Sequence, residues 1–237
     1  MKAVFLAFLT ILLSASLARA GDDLVTVKTP DGTEVPYILT TNAPQKVAYG
    51  VILMPGGSGQ LNPRMEGTRL VMGFSGNFLI RSRGIFADRQ FVAASTNSTT
   101  TAARILAIAA DLEKRYGKIQ IYVVGTSAST NSTMELADKI DGQVAGFIHS
   151  SSFNRISSFD SRKFRSRHLI VIHDKDLCRY TLPSNGQAAA SKYGTELIVM
   201  TGGRSTGDEC EAYSYHGFNG IERDTVDRMK AWITQAR

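Results

Sequence analysis

Val123-Val124-Gly125-Thr126-Ser127-Ala128-Ser129 runs from an apolar segment into a turn of small residues and on into a helical stretch. A serine in that position sits on a tight, strained turn that only small neighbours tolerate, and its hydroxyl projects at the top of a sheet beside a helix N-terminus. Ser127 is therefore the candidate nucleophile. Gly125, two residues earlier, meets the steric demand, whereas two residues later stands Ser129, small but not glycine. The hydroxyl-rich run from Thr126 to Thr133 also fits a helix cap that performs no chemistry.

Outward from this turn, short apolar runs alternate with amphipathic ones. Residues 24–28 and 35–39 flank Pro30-Asp31-Gly32, the composition of a hairpin. Residues 47–54 form an apolar strand that ends at Pro55-Gly56-Gly57-Ser58-Gly59. Further strands are predicted at 91–95, 119–124, 144–149, 168–173 and 195–200, and helices at 101–116, 127–140 and 219–235. Residues 60–90, with Arg81, Arg83 and Arg89, read as loop plus a short helix. The pattern predicts an α/β fold: a mostly parallel central sheet flanked by helices, with an N-terminal antiparallel hairpin. In such sheets ligands gather at the carboxyl ends of the strands, so the residues just after each strand carry the search for a site.

The composition is that of an ordinary globular chain: 237 residues, 43% hydrophobic and 20% charged, with 21 Gly and 6 Pro. Residues 1–20 have the lysine, apolar run and terminal Ala18-Arg19-Ala20 of a secretory signal peptide, with cleavage before Gly21. The expectation is thus a secreted or periplasmic protein with one domain over residues 21–237. The apolar run at 3–13 falls short of the roughly 20 residues a membrane span requires, so stable membrane insertion is not expected. Without Lys2 and Arg19, 25 basic and 21 acidic side chains remain, a balance of +4 with no block of like charge, which argues against a nucleic-acid partner. In an oxidising compartment thiols pair, and a Cys178–Cys210 disulfide is expected.

A nucleophilic serine needs a base, and a base needs an orienting carboxylate. Of the four histidines, His216 lies after the last predicted strand and before the terminal helix, the place this strand order provides. His149 and His168 sit at strand ends, and His173 ends a strand close enough to line the site. Asp174 and Asp176 follow that strand; Asp176, two residues further out, has the longer reach and is preferred. The order Ser127, Asp176, His216 is that of one particular hydrolase fold. A Cys178–Cys210 bridge would pin the acid loop to the histidine loop. Backbone N–H groups of Ala128 and of Gly57 or Ser58 in the glycine-rich loop are the candidate oxyanion donors. That loop matches neither the dinucleotide fingerprint nor a Gly-Lys-Ser/Thr phosphate loop, and no cofactor is called for. No His/Cys/Asp group has convincing metal-ligand spacing.

On Gly125-Thr126-Ser127, Pro55-Gly56-Gly57, Asp176 and His216, the chain resembles the α/β-hydrolase superfamily of serine hydrolases, in a small exported form. The resemblance implies a sheet of about eight strands, a Ser-Asp-His triad and hydrolysis of carboxylic esters or related acyl compounds, small or polymeric. The segment from Gly76 to Arg83 resembles that of exported bacterial members and identifies no substrate. The competing expectation is a non-catalytic binding protein on the same fold, with Ser129 a sign of relaxed chemistry. A nicotinamide-dependent reductase fits poorly, since no tyrosine has a lysine four residues on.

Overall fold

A computed structural model describes residues 21–43 and 46–235; the expected signal peptide at 1–20 lies outside the described residues. The strands are β1 (Gly21–Lys28), β2 (Glu34–Thr41), β3 (Tyr49–Met54), β4 (Arg64–Glu66), β5 (Arg69–Val71), β6 (Phe91–Ser95), β7 (Gln120–Thr126), β8 (Gly146–Ser150), β9 (Arg167–His173) and β10 (Glu196–Met200). The helices are α1 (Phe78–Arg81), α2 (Arg83–Phe86), α3 (Ala102–Tyr116), α4 (Ser129–Ile140), α5 (Pro183–Tyr193) and α6 (Glu222–Thr234). Eight strands form one sheet in the order β1-β2-β6-β3-β7-β8-β9-β10. β1 and β2 are the expected antiparallel hairpin and β2 meets β6 antiparallel, while every pairing from β6 to β10 is parallel.

The central strands are covered on both sides, which is why they read as continuous apolar runs. On one face Ile105, Ile108 and Leu112 of α3 and Leu136, Ala137 and Ile140 of α4 pack on Ile52, Val92 and Val123. On the other, Val226, Met229 and Trp232 of α6 join Phe78 and Phe86 against Val51, Val124 and Val171. Among the described residues no helix is long and apolar enough to cross a membrane.

Two features depart from the sequence reading. Residues 183–193 form α5, whose opening Pro183-Ser184-Asn185-Gly186 has no apolar period; it packs through Gly186 against Ile170 and Ile172, where a Cβ would stand 2.9 Å from Ile172. Residues 64–71 form a small separate hairpin of β4 and β5.

Behind the turn at Ser127 lies a buried polar chain. The Thr133 hydroxyl donates its one proton to the Thr130 carbonyl at 2.9 Å, so His149 Nδ1–H donates to Thr133 Oγ1 at 2.7 Å. His149 Nε2 then accepts from His168 Nδ1–H at 3.1 Å, and His168 Nε2 has no partner among the described residues. The two rings stack among Phe147, Phe159 and Phe164. Burial holds both imidazoles neutral, His149 well below its ordinary value and His168 pushed down to about 4.

These depressed values make the stability of the fold depend on pH. Well above pH 6.5 both histidines are neutral, folded or unfolded, and cost nothing. As the pH falls below 6.5 the unfolded chain takes protons that the folded chain refuses, so stability drops, with the His168 share levelling out below pH 4. For His168 alone the loss is about 3 kcal/mol. Denaturant midpoints between pH 7 and pH 4 should show this fall, and the His149→Phe/His168→Phe double variant should flatten it; a slope untouched by that replacement would remove the histidines as its cause.

Candidate active site

β7 pairs in parallel with β3, Met54 opposite Gly125, and with β8, Thr126 opposite Ser150, so the chain after Thr126 emerges between two other strand ends. Ser127 adopts φ of +55°, the left-handed region that a non-glycine residue enters at a cost of order 1–3 kcal/mol. Its N–H is held by the Ser150 carbonyl at 3.0 Å. Ala128 then turns into the right-handed region and α4 begins at Ser129, two residues later than predicted, because Ser127 itself forms the turn.

The helix starts so close to the strand that Gly125 admits no side chain: a Cβ would stand 2.8 Å from the Ser129 carbonyl oxygen. Ser129 does not leave its position empty as a glycine would. Its Oγ accepts the Thr126 N–H at 2.8 Å and lies 2.8 Å from the Met54 carbonyl and 2.9 Å from the Thr126 carbonyl, its own proton going to one of them. The departure from glycine thus has a structural cause.

His216 lies in a short 3-10 turn (Tyr215–Gly217), capped by the Ser214 hydroxyl. Asp176 Oδ2 is 3.0 Å from His216 Nδ1, and both side chains are buried. The carboxylate is filled on both oxygens: Oδ1 accepts the Cys178 N–H at 2.9 Å, and Oδ2 also accepts the Thr181 hydroxyl at 3.0 Å. Thr181 Oγ1 is itself 3.0 Å from His216 Nδ1, so the imidazole N–H is shared between carboxylate and hydroxyl. Thr181 was not foreseen, since a hydroxyl in a loop carries no signal of what it will meet. Nor was Ser151, whose Oγ donates to the His216 carbonyl at 2.6 Å, although it directly follows β8, where the search was aimed.

The other candidates sit elsewhere. His173 is fully buried; its Nδ1 accepts the Lys175 N–H at 3.0 Å and its Nε2–H donates to the Gly202 carbonyl at 2.9 Å, so it does not line the cleft as expected. Asp174, 3.2 Å from that acceptor nitrogen, is exposed and out of the His216 network. Cys178 and Cys210 form a disulfide across 32 residues, joining the Asp176 loop to the segment that leads to His216.

Ser127 and His216 line one cleft of about 380 Å³, together with Gly57, Phe74, Tyr213 and Cys210. No hydrogen bond joins Ser127 to the His216 ring among the described residues; contacts of this kind are often long until a ligand is bound. Gly57, at φ of +61°, opens the backbone toward the cleft beneath the Phe74 ring. Ser58 is exposed and does not line it. The N–H groups of Gly57, Ser58 and Ala128 donate to no other group among the described residues.

Solved structures with this architecture include an α/β serine hydrolase homologue from Coxiella burnetii, 16% identical, covering 90% of this chain and 99% of its own, with a TM-score of 0.61. A lidless α/β serine hydrolase from Xanthomonas campestris is 12% identical, with 93% and 99% covered and a TM-score of 0.60. The esterase domain of a Rhodothermus marinus protein is 10% identical, with 90% and 97% covered and a TM-score of 0.61. Neither a protein-family profile nor a curated protein matches the chain. The chain therefore has the α/β-hydrolase fold over nearly its whole length.

Replacing Ser129 with alanine should lower stability by about 1–3 kcal/mol, because the Thr126 N–H loses its partner inside the fold. Chemical denaturation of Ser129→Ala measures this, and a variant as stable as the parent would remove Ser129 as the tie between the two strand ends.

Proposed function

We propose that the protein is an exported serine hydrolase that cleaves carboxylic esters through an acyl-enzyme intermediate. The observation that carries this reading is the convergence on one cleft of a strained serine and a histidine whose far nitrogen is bonded to a buried, saturated carboxylate. The solved structures described as serine hydrolases and esterases support it. Export is supported by the disulfide, a bond that persists in oxidising compartments.

In this reading Ser127 is the nucleophile, His216 the base and Asp176 its orienting partner. With Nδ1–H donated to Asp176, His216 presents a bare Nε2 that takes the Ser127 hydroxyl proton as Oγ attacks the ester carbonyl. The negative charge that develops on the carbonyl oxygen is met by the N–H groups of Ala128 and Gly57, with α4 adding the positive end of its dipole. The imidazolium then protonates the departing alcohol, and water repeats the sequence to release the acid.

Ser127→Ala should lower turnover of p-nitrophenyl esters by about four to six orders of magnitude and abolish labelling by a fluorophosphonate, with the fold retained. A native protein that neither labels nor turns over any ester in a chain-length series would leave the binding-protein reading standing. Asp176→Asn should cost about 10⁴ in kcat because it inverts the imidazole tautomer, whereas Asp174→Asn should leave kcat nearly intact. The reverse ranking would shift the orienting role to Asp174.

The bridge between Cys178 and Cys210 should act on stability and rate together. Reduction removes about 4 kcal/mol in the chain-entropy account, and it frees the loops that hold Asp176 and His216. Both Tm and kcat should therefore fall on reduction, kcat being read well below the melting range. A reduced protein with lower Tm and unchanged kcat would confine the bridge to stability.

A further inference from the structure

The segment from Gly76 to Arg83 is the one sequence motif that the mechanism above does not use, and its Arg81 makes more directed contacts than any surface role requires. Arg81 ends α1, with its side chain only 14% exposed. Its Nη1 donates to the Gly76 carbonyl at 2.7 Å, its Nη2 to the Gly217 carbonyl at 2.6 Å, and its Nε and Nη2 to Glu222 Oε1 at 3.1 and 2.9 Å. The guanidinium carbon lies 5.3 Å from the centre of the Tyr213 ring. Four of its five N–H groups are thereby engaged in the planar fork that only arginine offers.

Two of these partners line the cleft: Gly76, which lies against the Tyr213 ring, and Gly217, which follows His216 directly. Glu222 opens α6 and anchors the guanidinium to the body of the fold. The backbone that follows the His216 ring is thus held at two successive carbonyls: Ser151 holds that of His216, and Arg81 holds that of Gly217.

We infer that Arg81 is a positioning residue, resting on the hydrolase reading above: by holding the carbonyl of Gly217 it fixes His216 relative to Ser127, without touching substrate. Its charge is met by Glu222, so the role is geometric. Lysine in its place could reach one of the three acceptors but could not span Gly76, Gly217 and Glu222 together.

The test is the rate at which Ser127 is labelled by a fluorophosphonate, which reports the Ser127–His216 pairing with no ester pocket to fill. Arg81→Ala should label about 100-fold more slowly, as expected for a misplacement of about 1 Å, and millimolar methylguanidinium should restore much of the rate, while sodium chloride at equal ionic strength should not. Arg81→Lys should remain slow. With p-nitrophenyl esters the same variants should lose kcat and gain KM. A folded Arg81→Ala that labels at the native rate overturns the assignment, and so does slow labelling that methylguanidinium leaves unchanged. If Arg81→Ala fails to fold, Arg81→Lys decides alone: native labelling overturns the role and slow labelling in a folded protein supports it. Native protein that does not label at Ser127 fails the hydrolase reading itself, a separate result.

Discussion

The constraint on which the site depends is the contact between the start of α4 and the end of β7, where the Ser129 hydroxyl binds the backbone of Thr126 and reaches the carbonyl of Met54. That one side chain ties the ends of two central strands to the helix that follows the turn. It forces the reversal to be completed in Ser127 and Ala128, which drives Ser127 into the left-handed region. The rest of the site is arranged around a serine that has no freedom to retreat, with Ser150 fixing its N–H and Gly125 leaving the space that lets the helix start this close to the strand.

The electrostatic half of the site is built on the opposite principle. Ser127 owes its place to the sheet, but Asp176 and His216 stand on loops, and loops hold geometry only when they are tied. Asp176 is buried, a location that a carboxylate occupies only when its oxygens are bonded. Cys178, Thr181 and His216 supply those bonds, and the disulfide then joins the two loops covalently. Ser151 and Arg81 complete the restraint by gripping two successive carbonyls, those of His216 and Gly217.

What could be read from the sequence follows the same division. The strands were legible because a sheet covered on both faces needs unbroken apolar runs, and 91–95 coincides with β6 to the residue. The turn at Ser127 was legible because its steric demand shows as small residues. Helix α5 was not, since it packs through Gly186 and Ala189 and has no apolar stripe to betray it. Asp176 and Asp174 follow the same strand, and reach was the only ground the sequence offered for preferring one; Thr181, Ser151 and Arg81 bond to groups 30 or more residues away, and no local pattern records such partners. Of the two glycine-loop donors considered, Gly57 lines the cleft and Ser58 does not; which N–H turns inward depends on the φ of Gly57, which composition leaves open.

Four non-glycine residues with left-handed backbone cluster around this cleft: Phe74 and Ser127 in its lining, Ser151 beneath His216 and Phe218 just beyond it. Each holds energy that the surrounding packing must contain. Selection for heat tolerance would meet a conflict here, because the changes that relax these positions most are the ones that loosen the cleft. Adaptation of this scaffold to higher temperature would be channelled into the hairpin of β1 and β2 and the faces of α3 and α6, leaving the mouth of the cleft as the part of the molecule slowest to change.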